Sequence, residues 1–187
     1  MVNKKTMKGK KKWFTILASP EFSEQVIGET SAYEIEQLIG RTVVVNAGRL
    51  AAELRRQNAV FTFRVKGVQG QNASTEVVKY EIAPMLVKRL VKRERDKADD
   101  SFVVTTKDNI KVRVKPFFVT RGFAHNSLLT AIRLKARQII ADEAGKRSYS
   151  EFIVAVASSD LQKFLKAELK KLSPLAVAEI RVMQLVK

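Results

Sequence analysis

Lys111, Arg113 and Lys115 alternate with Val112 and Val114, and this spacing points to a definite chemistry. In a strand, successive side chains point to opposite faces and rise ~3.3 Å per residue. The three cations therefore stand about 6.6 Å apart on one face, which suits successive phosphates of a nucleic acid strand. Further cations cluster nearby in sequence. Lys4, Lys5, Lys8, Lys10, Lys11 and Lys12 fill the first 12 positions without an acid, and Lys88, Arg89, Lys92, Arg93 and Arg121 belong to a segment, 84–121, with eleven cations and five acids. Arg133 and Arg137 lie one turn apart on a predicted helix and share its outer face. The whole chain of 187 residues carries 35 Lys and Arg against 19 Asp and Glu, a net +16, and the two basic segments hold 12 of those charges in 50 positions. Pro20 to Gly40 is the opposite, with Glu21, Glu24, Glu29, Glu34 and Glu36 and no cation. One side thus meets a polyanion and another faces solvent or a protein neighbour. If eight cations each neutralise a phosphate, log K falls against log salt with a slope of roughly −6 to −7.

Other chemistries find little support. The chain has no cysteine, which excludes disulfides, thiolate zinc sites and Cys nucleophiles and fits a reducing cytoplasm. His125 is the only histidine, so no His-based metal site can form, and an enzyme would have to rest on His125 or the Asp99-Asp100 pair. No phosphate loop of the G-x-x-x-x-G-K-[ST] or G-x-G-x-x-G kind occurs, and neither a cofactor nor a small-molecule substrate is expected. The longest apolar run, Phe152 to Ala157, is far below the ~20 residues of a membrane span, and no signal peptide is visible. Aromatics make up 7% of the chain, and positions such as Phe63, Phe118 and Phe164 have the phase of a core, so bases stacking on a sheet are not the expected mode. Backbone and shape recognition of a folded RNA fits best. A free RNA- or DNA-binding factor in ribosome assembly or translation control is the alternative.

The elements that must position these residues read as one α+β domain, 13–187, behind a basic tail, 1–12, that is disordered when free. Trp13 to Leu17 docks on the core, Tyr33 to Ile39 has helical character ended by Gly40, and Thr42 to Val45 is a strand. Val60 to Val68 and Thr75 to Ile82 form a hairpin with a long loop, 67–74. Pro84 opens a helix to about Asp96, its cations in two rows. A second hairpin joins Phe102–Thr106 to Ile110–Thr120 through Lys107-Asp108-Asn109, with Pro116 marking an edge or bulge. Helices follow over 126–144, 149–157 and 160–172, the last with Leu161, Phe164, Leu165 and Leu172 inward, and Val177 to Val186 closes the sheet.

The order of several short motifs carries a resemblance. Lys11-Lys12-Trp13-Phe14, Leu38-Ile39-Gly40-Arg41-Thr42, Thr105-Thr106-Lys107-Asp108-Asn109 before Lys111-Val112-Arg113-Val114-Lys115-Pro116, Ala131-Ile132-Arg133, and Lys171-Leu172-Ser173-Pro174-Leu175 before Glu179-Ile180-Arg181 occur in this sequence. The chain resembles the small-subunit ribosomal protein family of archaea and eukaryotes called S-three-Ae, or eukaryotic-type S-one, and looks like an archaeal member. The resemblance implies a β-barrel-like core of antiparallel or mixed sheet flanked by helices. It implies a place on the small-subunit platform near the messenger exit of the cytoplasmic ribosome. It further implies contacts to small-subunit rRNA, neighbouring ribosomal proteins and messenger RNA, and no catalysis. The cations it matches by position are Lys11, Lys12, Arg41, Lys111, Arg113, Lys115, Arg133 and Arg181. Gly122-Phe123-Ala124-His125 departs from it, being less basic than the pattern expects.

Overall fold

The computed structural model describes residues 10–50 and 58–186. Lys4, Lys5 and Lys8 of the expected tail lie outside the described residues, while Lys10 and Lys11 are exposed and Lys12 already opens the first strand. The chain runs through β1 (Lys12–Leu17), a 3-10 turn (Pro20–Phe22), β2 (Val26–Ala32), a second 3-10 turn (Ile35–Gln37), β3 (Thr42–Asn46) and α1 (Ala47–Leu50). It continues through β4 (Ala59–Gln69), β5 (Asn72–Ile82), α2 (Pro84–Leu90), β6 (Lys97–Asp99), β7 (Phe102–Thr105) and β8 (Lys111–Thr120). Helices α3 (Asn126–Lys146), α4 (Tyr149–Ala157) and α5 (Asp160–Leu169) follow, then β9 (Leu175–Leu185).

Among the described residues, nine strands form one mixed sheet in the order β2-β1-β5-β9-β8-β6, with β3-β4 joined to β5 and β7 joined to β8. One edge of β5 takes β4 along its length. The other is shared, Asn72 and Ala73 pairing in parallel with β1 and Lys79 to Glu81 pairing antiparallel with β9. Strand β8 repeats the device, with β9 on one edge and β7 then β6 on the other. The expected barrel is therefore corrected to an open sheet. Closure needs every strand to keep two neighbours around a ring, whereas β2, β3, β6 and β7 each pair with a single strand and the shared edges make the sheet branch.

Helices α3 and α5 pack against one face of this sheet, on β6, β7 and β9, and α4 packs on α5. The core lies between the layers. Strand alternation sends Phe61, Phe63 and Val65 inward, where Phe61 and Phe63 meet Phe22 at ring separations of 5.0 and 5.9 Å, and Tyr80 lies 5.1 Å from Phe61. Phe152, Ile153, Leu161 and Leu165 close this core from the helical side. The stripe Leu129, Ile132 and Ala136 of α3 seals a second cluster over Ala98, Phe118, Leu175 and Ala178. The Tyr149 hydroxyl donates to the Val77 carbonyl at 2.7 Å and ties α4 to β5. Burial, then the Glu76 and Glu21 carboxylates, push the Tyr149 phenol well above its ordinary value. A group whose folded pKa is raised stabilises below its unfolded value, so stability declines from about pH 10 upward as the unfolded phenol ionises. Tyr149→Phe should cost about 1 kcal/mol in urea unfolding at neutral pH and remove this alkaline decline.

Several expectations shift for local reasons. The β4–β5 connection is a tight turn at Gly70-Gln71, made possible by Gly70 at φ +62°, so both strands run longer than the alternation alone shows. Helix α2 stops at Leu90: Val91 is extended and Glu94 sits at φ +65°, which turns the chain toward β6 for its pairing with β8. The two cation rows expected along a longer helix are thus replaced by Lys88 and Arg89 on the last turn and Lys92 and Arg93 in the loop after it. Pro116 marks a bulge inside the sheet, not an edge, with Arg181 of β9 as the extra residue opposite Lys115 and Pro116. Trp13 is 67% exposed, because the alternation of β1 buries Phe14 and Ile16 instead. On α5, which ends at Leu169, Leu161, Leu165 and Leu169 are inward, while Phe164 and, in the turn beyond the helix, Leu172 are half exposed.

Candidate nucleic-acid interface

Among the described residues, β3, β7 and the first half of β8 leave the sheet face opposite the helices exposed, whereas Phe117 and Val182 further along it are buried, and register shows which side chains share it. Directly opposed residues of an antiparallel pair point to the same face. Thr105 and Val103 of β7 oppose Lys111 and Arg113 of β8, Arg113 opposes Gln184 of β9, and Gln184 opposes Lys79 of β5. On the far side Arg64 opposes both Glu76 and Thr42. Thr105, Val103, Arg113, Gln184, Thr42 and Lys111 are all exposed. Arg64, Arg113 and Gln184 line one groove of about 330 Å³ across β4, β5, β9 and β8.

Charge pairing divides this face in two. Arg64 is bound to Glu76 and Lys79 to Glu81. Lys111, Arg113 and Lys115 have no acidic partner among the described residues, and Lys115 is half-buried at the bulge. A row of unneutralised cations on a bare surface repels itself and favours binding a polyanion, which lowers that repulsion. Alternation in β4 could have pointed to Arg64 as outward-facing. Nothing local to the sequence shows that it lies across a groove from Arg113.

The remaining cations fall into two groups. Lys10, Lys12, Lys88, Arg89, Lys92, Arg93 and Arg121 are exposed and without acidic partners among the described residues. Others are engaged within the chain. Arg41 donates to the Gln37 carbonyl, Thr30 Oγ1 and the Ser31 carbonyl at 2.9, 2.8 and 3.2 Å. Arg137 pairs with Asp100 at 2.8 Å and lies over the Phe102 ring, so it does not share a free outer face with Arg133. Arg181 lies 3.9 Å from Asp99, and the Lys11 ammonium sits over Tyr33. Arg133 is half-buried, and its Nε has no hydrogen-bond partner among the described residues. Asp99 and Asp100 are thus held in ion pairs, and exposed His125 is the N-cap of α3, its side chain making no capping bond. Among the described residues, no group of three or more His, Asp or Glu could hold a metal ion, and no helix is long and apolar enough to cross a membrane.

At the far end of β8 the loop 121–125 is fixed from below. Asp96 Oδ2 accepts from the Ala124 amide at 2.7 Å, and buried Thr120 donates to the Gly122 carbonyl at 2.6 Å. The loop therefore projects Phe123, 81% exposed, beside Arg121 without strain on its backbone. Asp96→Ala should raise hydrogen exchange of the Ala124 amide about tenfold by NMR while leaving exchange in β4 and β5 unchanged.

A model of the Ribosomal S3Ae family matches residues 3–187. The chain belongs to the ribosomal S3Ae family. This is a family of structural ribosomal proteins, not of enzymes. Relatives named small ribosomal subunit protein eS1 are similar over most of their length. The Nanoarchaeum equitans protein is 36% identical over 173 residues, covering 92% of this chain and 87% of that protein. The Methanococcus vannielii protein is 34% identical over 179 residues, covering 96% and 81%. The Sulfurisphaera tokodaii protein is 32% identical over 177 residues, covering 95% and 92%. The chain is an archaeal-type member of the family. The family match spans β1 to β9, so the uncovered face and its cation row lie within the shared region.

Proposed function

We propose that this chain is a structural component of the small ribosomal subunit in the cytoplasm and holds small-subunit rRNA through phosphate contacts. The observation that carries the reading is the row Lys111, Arg113 and Lys115, without acidic partners among the described residues on the outer face of β8. Lys88, Arg89, Lys92, Arg93 and Arg121 extend the contact, and Arg133 offers a buried donor without an acceptor among the described residues. Lys4, Lys5, Lys8, Lys10 and Lys12 add a further phosphate-seeking segment. Arg41, Arg137 and Arg181 act chiefly by shaping the protein, since their guanidinium groups already have partners. The names of the relatives support membership of the small subunit. The family resemblance supports a platform position near the messenger exit, with protein neighbours and messenger RNA at hand.

Sedimentation of cell extract tests the reading. The protein should travel with small subunits at low salt and dissociate progressively as salt rises, because its phosphate contacts release counterions. A chain that binds isolated rRNA yet never sediments with subunits would overturn it.

A further inference from the structure

The acidic segment builds a second surface, and it does not rest on the RNA reading. Trp13 of β1, Tyr33 after β2, and Ile35 of the second 3-10 turn converge with the Gly70-Gln71 turn around an open groove of about 770 Å³. All three side chains are substantially exposed, at 67%, 37% and 46%. Glu34 and Glu36 line the same groove, against Lys12 as the one cation of the lining. The wall is preformed: Arg41 clips the 3-10 turn to β2 through Gln37, Thr30 and Ser31, and the Tyr33 amide donates to the Gln37 side chain at 3.4 Å.

Charge decides the occupant. Glu34 and Glu36 outnumber Lys12 in the lining and belong to a segment, Pro20 to Gly40, with five glutamates and no cation in a chain of net +16, so this lining favours a cationic occupant more than the basic surfaces do. The Lys11 ammonium rests 5.5 Å from the Tyr33 ring centroid, which shows that this ring accepts a cation in this field. Aromatic and aliphatic walls with an acidic rim fit a polypeptide that alternates cations with apolar side chains. We infer that this groove docks an extended, Lys/Arg-rich segment of another protein, with an apolar side chain between Trp13 and Ile35 and cations on Glu34 and Glu36.

Trp13 is the only tryptophan and therefore reports directly on the groove. A synthetic peptide of repeated Gly-Arg-Lys-Leu units, added to the full chain, should shift Trp13 emission to the blue and protect it from acrylamide. A Gly-Glu-Asp-Leu peptide should do neither, and oligouridylate, drawn to the neighbouring lysines, should leave Trp13 open to acrylamide. Combining Glu34→Gln with Glu36→Gln should weaken the basic peptide about tenfold and leave rRNA binding unchanged. No Trp13 response at saturating basic peptide overturns the inference, as does protection of Trp13 from acrylamide by oligouridylate, which would make the groove an RNA site. Unchanged peptide affinity in the double variant overturns the charge argument. Trp13 shielded in the free chain and released on removing residues 1–9 would identify the chain's own N-terminal segment as the occupant, and would equally overturn it.

Discussion

Replacing Lys111, Arg113 and Lys115 together with Ala will lower affinity for a small-subunit rRNA fragment about a hundredfold at ~0.1 M salt and flatten the slope of log K against log salt by about 2 to 3 units. The magnitude follows from counterion release at roughly 0.7 to 0.9 per phosphate contact, multiplied over three contacts. The fold should survive, because Lys111 and Arg113 are exposed and none of the three holds an ion pair among the described residues. Circular dichroism and urea unfolding of the variant should match those of the parent. By comparison, Arg137→Ala should change the slope by well under one unit, since its guanidinium already serves Asp100. A triple variant that keeps the full slope would remove β8 from the interface.

Phe63→Ala will cost about 3 to 5 kcal/mol, the usual range for emptying a fully buried phenylalanine site. Phe63 is wholly inaccessible, packs against Phe22 and Phe61, and lies beside a register shift of the β4–β5 ladder, where backbone collapse into the void is constrained. For a protein of this size the loss corresponds to a fall in melting temperature of about 10 °C or more by calorimetry. Val44 of adjacent β3, 64% exposed on the uncovered face, makes the contrast. Val44→Ala should stay within about 0.5 kcal/mol. Below its melting temperature the Phe63 variant should keep the parental salt slope, because Phe63 is buried in the core while Lys111 and Arg113 are exposed.

The sequence shows which side chains share a strand face but not which strands lie side by side. Period-two alternation places Lys111, Arg113 and Lys115 together, and the structure agrees. The helix 149–157 and the stripe of α3 were legible for the same reason, since Phe152, Ile153, Val156, Leu129, Ile132 and Ala136 recur at helical spacing. Strand β2 escaped because Val26 to Ala32 contains Gly28, Glu29 and Thr30 and is held chiefly by its ladder to β1, a tertiary preference. Strand β6 escaped because Lys97-Ala98-Asp99 is too short to show a period, and its pairing with Phe117 to Val119 displaced the end of the expected helix. Within the site, charge gave the cations but not their partners. That Asp100 takes Arg137 across 37 positions, that Asp99 approaches Arg181, and that Arg64 faces Arg113 over a groove all depend on the branched sheet.

The central claim is that the uncovered face of β8 lies against rRNA. Lysine acetylation footprinting of the chain, free and in small subunits purified at low salt, tests it most directly. Lys111 is exposed and without an acidic partner among the described residues, while Lys163 and Lys171 on the helical side pair with Asp160 and Glu168. Lys111 should react readily in the free chain and become at least about tenfold less reactive in the subunit, with Lys115 following it, and a high-salt wash that releases the protein should restore both. Equal reactivity of Lys111 in the free chain and in the intact subunit would contradict the account.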